Sequence, residues 1–244
     1  MKSIGEVVKY RLYIVIPALN EEGSIEQTLH AIVAACVDLP YQVLIVNDHS
    51  TDRTAELVDA FALKHGNVRR VDNLGPGGFS NALRVGYEAA GDGAIVTMMA
   101  DLCDDPTSLA PMYEMILEGY DVVCGSRYMP GGGKENEEGW LKGLLSRSVG
   151  LSLHRLAGIP THDVTNAFKM YRSDLLKSTS MEEAGFACSM EITIKAYLKG
   201  ARIGEVPTTW RGRMAGKSKF SMIKGIRPYL RWYIWMVLLR KHRF

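Results

Sequence analysis

Apolar residues in this chain come in short unbroken runs separated by stretches with helical spacing. Leu12–Pro17 is almost wholly apolar, as a strand covered on both faces must be, and Gln42–Val46 repeats the pattern. Val68–Val71, Ala94–Met99 and Asp121–Cys124 are shorter runs of the same kind. Between them, apolar positions recur at helical spacing, predicting helices that end near Cys36, His65, Ala90 and Glu118. Strand and helix alternate up to Gly125, which predicts right-handed crossovers and a mostly parallel sheet with helices on both faces. In such sheets ligands bind beyond the carboxyl ends of the strands. The polar segments Ala18–Glu21, Asn47–Asp52 and Asp101–Asp105 all leave those ends, so three polar clusters converge on one edge.

Beyond Gly125 the regularity stops. Arg127–Gly139 is rich in glycine and predicts a mobile loop hinged at Gly131–Gly133. Trp140–Ala157 predicts an amphipathic helix, Asp163–Tyr171 a strand pair or strand-turn, Ser189–Leu198 a helix and Ile203–Pro207 a strand. Met222–Arg240 predicts a last helix. Its apolar face runs through Ile223, Ile226, Tyr229, Leu230, Tyr233, Ile234, Val237 and Leu238, widened by Trp232, Trp235 and Met236 and interrupted by Pro228. The organisation is therefore α/β over residues 1–220, followed by a basic amphipathic helix over residues 221–244.

Composition changes this picture in one place. With 244 residues and a formal net charge of +2, charge gives no argument for nucleic acid. Yet from Arg211 onward the chain has ten Lys and Arg and no Asp or Glu, so the body is acidic and the end basic. Such an end suits a phosphate or an anionic membrane surface, and a solvated tail is the plainer reading. Cys36, Cys103, Cys124 and Cys188 lie far apart, which suits a reducing compartment. No signal peptide or bilayer-length apolar run is read, so the expectation is a cytoplasmic chain, with peripheral contact with the membrane left open.

A dinucleotide reading fails, because no Gly-x-Gly-x-x-Gly follows the first strand, and no Walker lysine motif is present. Acidic strand ends suit another strategy, in which a divalent cation bridges carboxylate and diphosphate. Asn20 and Glu21 can fix a nucleoside by hydrogen bonds, although Asn20 also suits a helix cap. Asp48 can reach a base or ribose, and Asp52 reads as the cap of the next helix. Asp101 closes a strand at the converging edge and is the candidate metal carboxylate.

Three segments, Ile16–Glu21, Val46–Asp52 and Met98–Asp101, resemble the signatures of family 2 glycosyltransferases with the GT-A fold. Gly125–Tyr128, Asp163–Phe168 and Arg213–Lys219 resemble segments of its polyprenyl-phosphate glycosyltransferases, the group that includes dolichyl-phosphate mannose synthase. The resemblance covers roughly residues 12–220. It implies an inverting transfer of a hexose, mannose or glucose, from a GDP- or UDP-linked donor to a polyprenyl phosphate, with Mg²⁺ or Mn²⁺ as cofactor. It implies nucleotide contacts at Pro17, Ala18, Asn20, Glu21 and Asp48, metal binding at Asp101, and phosphate binding at Arg127, Arg147, Arg213 and Lys219. A phosphate acceptor is already an anion, so no catalytic base is required. A hydroxyl acceptor would need one, and Asp104 and Asp105 are the candidates.

Three positions depart from the family pattern. Met99 stands where the family commonly has an acid, Asn47 replaces the first acid of the second signature, and Cys103 replaces a Gln. Asp101 would then serve with water-mediated help from Asp104 or Asp105, Cys103 packing rather than ligating. These departures also motivate a non-catalytic nucleotide-sugar binder as an alternative. Relatives often continue into transmembrane helices, so this chain would meet a lipid through its last helix or through a membrane partner subunit, or else its acceptor is not a lipid.

Overall fold

The computed structural model describes residues 10–136, 140–212 and 222–240. Its centre is a seven-stranded sheet ordered β3-β2-β1-β4-β7-β5-β8. The strands are β1 (Arg11–Ala18), β2 (Tyr41–Asn47), β3 (Val68–Asp72), β4 (Gly93–Thr97), β5 (Val122–Ser126), β7 (Lys169–Arg172) and β8 (Ile203–Pro207). β1 pairs in parallel with β2 and β4, β2 with β3, and β5 with β8. β7 runs antiparallel between β4 and β5, with Thr97 and Cys124 both opposite Lys169. The expected strand-turn at Asp163–Tyr171 is thus a turn that feeds this strand from the carboxyl edge of its neighbours.

Side chains alternate between two apolar layers, as the period of a strand dictates. Leu12, Ile14, Ile16, Val43 and Ile45 face a cluster closed by α1 (Ile25–Ala35), α2 (Thr54–Ala62) and α4 (Leu109–Leu117). Val15, Leu44, Val46, Ile95 and Cys124 face the other cluster, closed by α3 (Phe79–Ala89), α6 (Ser173–Lys177) and α7 (Cys188–Leu198). Gly86 lets α3 sit close to the sheet, since a Cβ there would lie 2.3 Å from Val15 Cγ1.

The predicted mobile loop is corrected in part. Gly133–Glu135 forms β6, paired in parallel with β9 (Thr209–Arg211). Gly132 is packed rather than hinged, because a Cβ there would lie 2.3 Å from Ser126 O. Residues 137–139 lie outside the described residues.

The apolar face expected on α8 (Met222–Arg240) is also corrected, because it divides in two. Trp232 and Met236 are buried, with Tyr229, Tyr233 and Val237 beside them, in a third cluster shared with α7 and with Leu153 and Ala157 of α5 (Trp140–Ala157). Ile226, Leu230, Ile234, Trp235 and Leu238 point outward, each between 40% and 53% exposed. One turn of sequence apart, they form a stripe along the free side of the helix. Among the described residues no helix is long and apolar enough to cross a membrane.

Candidate active site

The loops after β1 and β2 are sewn together. Asn20 has a left-handed φ of 53°, its N–H donates to Ser50 Oγ at 3.0 Å, and its Oδ1 accepts from Thr51 N at 2.7 Å. Its side chain therefore braces the second loop, not the start of α1. Glu21 N–H donates to Thr54 Oγ1 at 2.8 Å, and Glu22 N–H to Asp52 Oδ2 at 3.1 Å. Asp52 also accepts Thr54 N–H at 2.9 Å, which caps the turn into α2 and satisfies an N–H that the helix leaves open. Pro17 and Ala18 are buried at the end of β1, beside Val46 and Asn47, and the Ala18 carbonyl accepts Asp48 N–H at 2.8 Å.

Asp48 is itself buried and organises a third loop. Its Oδ1 accepts Asn73 Nδ2 at 2.7 Å, and its Oδ2 accepts Gly78 N–H at 2.8 Å. Gly78 needs its missing Cβ, with φ at 124°. His49, also left-handed at φ 62°, meets Gly75 O through Nε2 at 2.9 Å. Asn47 donates to Asp72 Oδ1 at 2.9 Å, its Oδ1 accepts Ser50 N–H at 3.2 Å, and its carbonyl accepts Asn73 N–H at 3.0 Å.

The turn after β4 carries the acids. Asp101 is 3% exposed, and its Oδ1 accepts Cys103 N–H at 3.2 Å across Leu102, whose φ is 60°. Asp104 is buried too, and its Oδ2 accepts Met99 N–H at 2.9 Å. Burial pushes the Asp104 carboxyl up to about 7; the Met99 N–H opposes this, the Asp101 charge adds to it, and Arg127 opposes it. Asp105 instead accepts Thr107 N–H at 3.1 Å and meets Arg211 Nη2 at 3.4 Å. Cys103 is buried, and its carbonyl accepts Arg211 N–H at 2.9 Å.

Among the described residues no three His, Cys, Asp or Glu side chains gather as a metal cage. One buried aspartate beside a second whose charge is disfavoured still fits a hard cation that arrives with a diphosphate. Mg²⁺ and Mn²⁺ sites of this sort use one or two carboxylates and complete the shell with substrate oxygens and water. A cation there would also relieve the crowding between Asp101 and Asp104.

The cationic side is built on Arg127, which follows β5. Its Nε donates to Asp163 Oδ2 at 2.6 Å and its Nη2 to Asp163 Oδ1 at 2.9 Å, a bidentate pair. Burial opposes both charges, yet each holds the other ionised: Asp163 lies below its usual range and Arg127 above. Nη2 also donates to Ser146 Oγ on α5 at 3.2 Å. Arg147, the next residue, is exposed on that helix, and none of its bonds among the described residues reaches Arg127. Arg213 and Lys219 lie outside the described residues, two and eight positions beyond the end of β9 at Arg211.

Sequence reasoning quoted Asp163 within a motif without giving it a task, and it missed Lys169 altogether. Lys169 is fully buried and donates to Val164 O at 2.9 Å, to Ser189 Oγ at 2.7 Å and to Asn166 O. A lysine inside an apolar strand is the signal that could have marked it.

With this geometry in hand, comparison with known proteins is direct. The model of glycosyl transferase family 2 matches residues 13–179. The polyprenol monophosphomannose synthase of Mycolicibacterium smegmatis is 30% identical over 223 residues, covering 86% of this chain and 81% of the relative. The dolichol-phosphate mannosyltransferase of Pyrococcus furiosus is 31% identical over 224 residues, covering 91% of this chain, which spans only 62% of that protein. Glucosyl-3-phosphoglycerate synthase from Mycobacterium tuberculosis, solved with Mn²⁺, UDP-glucose and phosphoglyceric acid, superimposes with a TM-score of 0.65 at 20% identity. It covers 95% of this chain and 79% of its own, a likeness that speaks to the fold.

Proposed function

The chain belongs to glycosyl transferase family 2, and on that premise we propose that it moves a hexose, mannose or glucose, from a GDP- or UDP-linked donor to a polyprenyl phosphate with inversion. The observation that carries this reading is the facing of acid and cation at one sheet edge. Thr97 and Cys124, near the ends of β4 and β5, both stand opposite Lys169, so the carboxylate turn and the Arg127–Asp163 pair leave the same sheet edge. A donor diphosphate and an acceptor phosphate are the anions such a space suits. The names of the mannosyl-transferring relatives support a lipid phosphate as acceptor.

In this reading Pro17, Ala18, Asn20, Glu21 and Asp48 shape the nucleoside end, and Asp101 holds Mg²⁺ or Mn²⁺. The cation supplies charge neutralisation for the departing diphosphate. An acceptor phosphate oxygen attacks the anomeric carbon as the bond from that carbon to the diphosphate oxygen breaks. Arg127, Arg147, Arg213 and Lys219 hold the phosphates in line, which is positioning and electrostatic work rather than proton transfer. Residues 1–220 serve as the transferase domain in this scheme, and residues 221–244 as its attachment to a surface.

One observation favours a second reading. Asp104, poised to about 7, is a fitting general base for a hydroxyl acceptor. Product chemistry separates the two. A sugar phosphodiester is released by mild acid, whereas an ordinary glycoside survives it. Incubating labelled GDP-mannose and UDP-glucose with polyprenyl phosphate and Mg²⁺ or Mn²⁺, then treating the lipid extract with mild acid, tests the reading. An acid-stable product, or none in the lipid phase, would refute it.

The outward stripe on α8, with Arg227 and Arg231 exposed among its apolar residues, supports peripheral contact with an anionic membrane at the cytoplasmic face. A membrane-embedded partner subunit is the other way the stripe could meet a lipid.

A further inference from the structure

The motif Asp163–Phe168 forms a turn in which Asp163 holds Arg127 and the other bonds fix the turn in place. Asp163 is fully buried, and besides the two side-chain bonds it accepts Arg127 N–H at 3.1 Å and Thr165 Oγ1 at 3.3 Å. Asn166 Nδ2 donates to Gly125 O at 2.8 Å, and Gly125 N–H donates to Phe168 O at 3.0 Å, so the turn is riveted to the end of β5. Lys169 clamps it from within by bonding the carbonyls of Val164 and Asn166, and Ser189 Oγ donates to Asn166 O at 2.9 Å.

A guanidinium is a rigid planar fork. Asp163 takes the edge formed by Nε and Nη2, and Ser146 takes the other hydrogen of Nη2. Among the described residues Nη1 makes no hydrogen bond, so both of its N–H groups are left for an anion. Thr97 and Cys124, near the ends of β4 and β5, both stand opposite Lys169, so Arg127 leaves the same sheet edge as the acidic turn.

We propose that Asp163 is a positioning residue for sugar transfer, gripping one edge of Arg127 so that Nη1 is presented to a phosphate, with Lys169 fixing the turn that carries Asp163. This rests on the reading above that Arg127 binds a phosphate. Asp163 touches no reacting atom; its effect passes through Arg127 alone. That distinguishes it from a buried ion pair that merely stabilises the fold.

The test is a double-mutant cycle on turnover with Asp163→Asn, Arg127→Lys and the pair, each checked by circular dichroism and thermal melting. Asp163→Asn should lower kcat on the order of tenfold to a hundredfold, the scale of a misplaced group, with donor KM changed by less than about twofold. The double variant should be no slower than Arg127→Lys alone. Multiplying losses, or a lowered Tm with kcat unchanged, overturns the proposal. Should Asp163→Asn fail to fold, Ser146→Ala carries the same test, with an expected fall in kcat of about threefold that vanishes in the Arg127→Lys background. An unchanged kcat in Ser146→Ala then overturns the proposal. A wild-type chain that hydrolyses the donor without making lipid product removes the acceptor assignment instead, and the cycle is then read on hydrolysis.

Discussion

Asp104 accepts the backbone N–H of Met99 at 2.9 Å, which folds the turn after β4 so that Asp101 and Asp104 come together out of water. Burial, the largest influence on Asp104, pushes its carboxyl up to about 7 from an ordinary value of 3.8. The native state therefore binds a proton that the unfolded chain has released. Stability contributed by that proton is full below about pH 4 and is lost as pH rises to about 7, on the order of a few kcal/mol. Asp104→Asn keeps the acceptor for Met99 N–H and cannot ionise. Chemical denaturation at several pH values should show the wild type weakening between pH 4 and 7 relative to Asp104→Asn; parallel curves would disprove the assignment.

Asp101→Asn should remove most activity, on the order of a hundredfold or more in kcat, while leaving Tm within a degree or two. Met99→Asp should tighten Mn²⁺ binding, because it places a second carboxylate two residues before Asp101. Steady-state kinetics and thermal melts check the first, and electron paramagnetic resonance of Mn²⁺ titrated with and without donor checks the second. Full activity in Asp101→Asn with unchanged metal dependence would remove Asp101 from the site.

The arginines should separate by environment. Arg127→Ala leaves the buried Asp163 carboxylate without its partner, so it should cost roughly 3–5 kcal/mol of stability as well as turnover. Arg147→Ala, on an exposed helix face, and Arg213→Ala should lower kcat more than they raise donor KM, with little change in Tm. Thermal melts beside steady-state kinetics read the split, and an Arg127→Ala protein as stable as the wild type would contradict it.

The two faces of α8 predict opposite phenotypes. Leu230→Glu with Ile234→Glu, both on the outward stripe, should abolish salt-sensitive sedimentation with phosphatidylglycerol vesicles and leave Tm unchanged. Trp232→Ala, on the inward face, should lower stability by about 3–5 kcal/mol. It also removes the indole N–H that donates to Glu183 Oε1 at 2.8 Å. Full-length wild type remaining in the supernatant at low salt would exclude the membrane reading.

The parts legible from sequence were those in which one physical signal dominates. β1, β2 and β4 are apolar runs because both of their faces are covered, and the acids at their ends stand out against that background. β7 was legible only as part of the strand-turn over Asp163–Tyr171, because it is four residues long and holds a buried lysine, whose charge argues against burial until its carbonyl partners are seen. The glycines at 131–133 read as freedom, whereas Gly132 is there because a side chain would strike Ser126 O. On α8 a single periodicity could not distinguish a face packed on α5 and α7 from one turned outward, since both are apolar. Asp163 was visible as a letter in a motif, but its partner stands 36 positions earlier, and no local pattern links the two.

The antiparallel placement of β7 also bears on how the chain is made. Synthesis delivers β1 to β4 first, and these four strands can already lie side by side. The far side of β4, through the fully buried stretch Ala94–Val96, is then a bare row of backbone donors and acceptors until Lys169–Arg172 leaves the ribosome. β5 emerges sooner but joins the sheet only through β7 and β8. The growing polypeptide thus carries an open, apolar sheet margin for a long interval, the kind of surface that recruits chaperones or sticks to a neighbour. Residues 169–172 complete the sheet as a wedge does an arch.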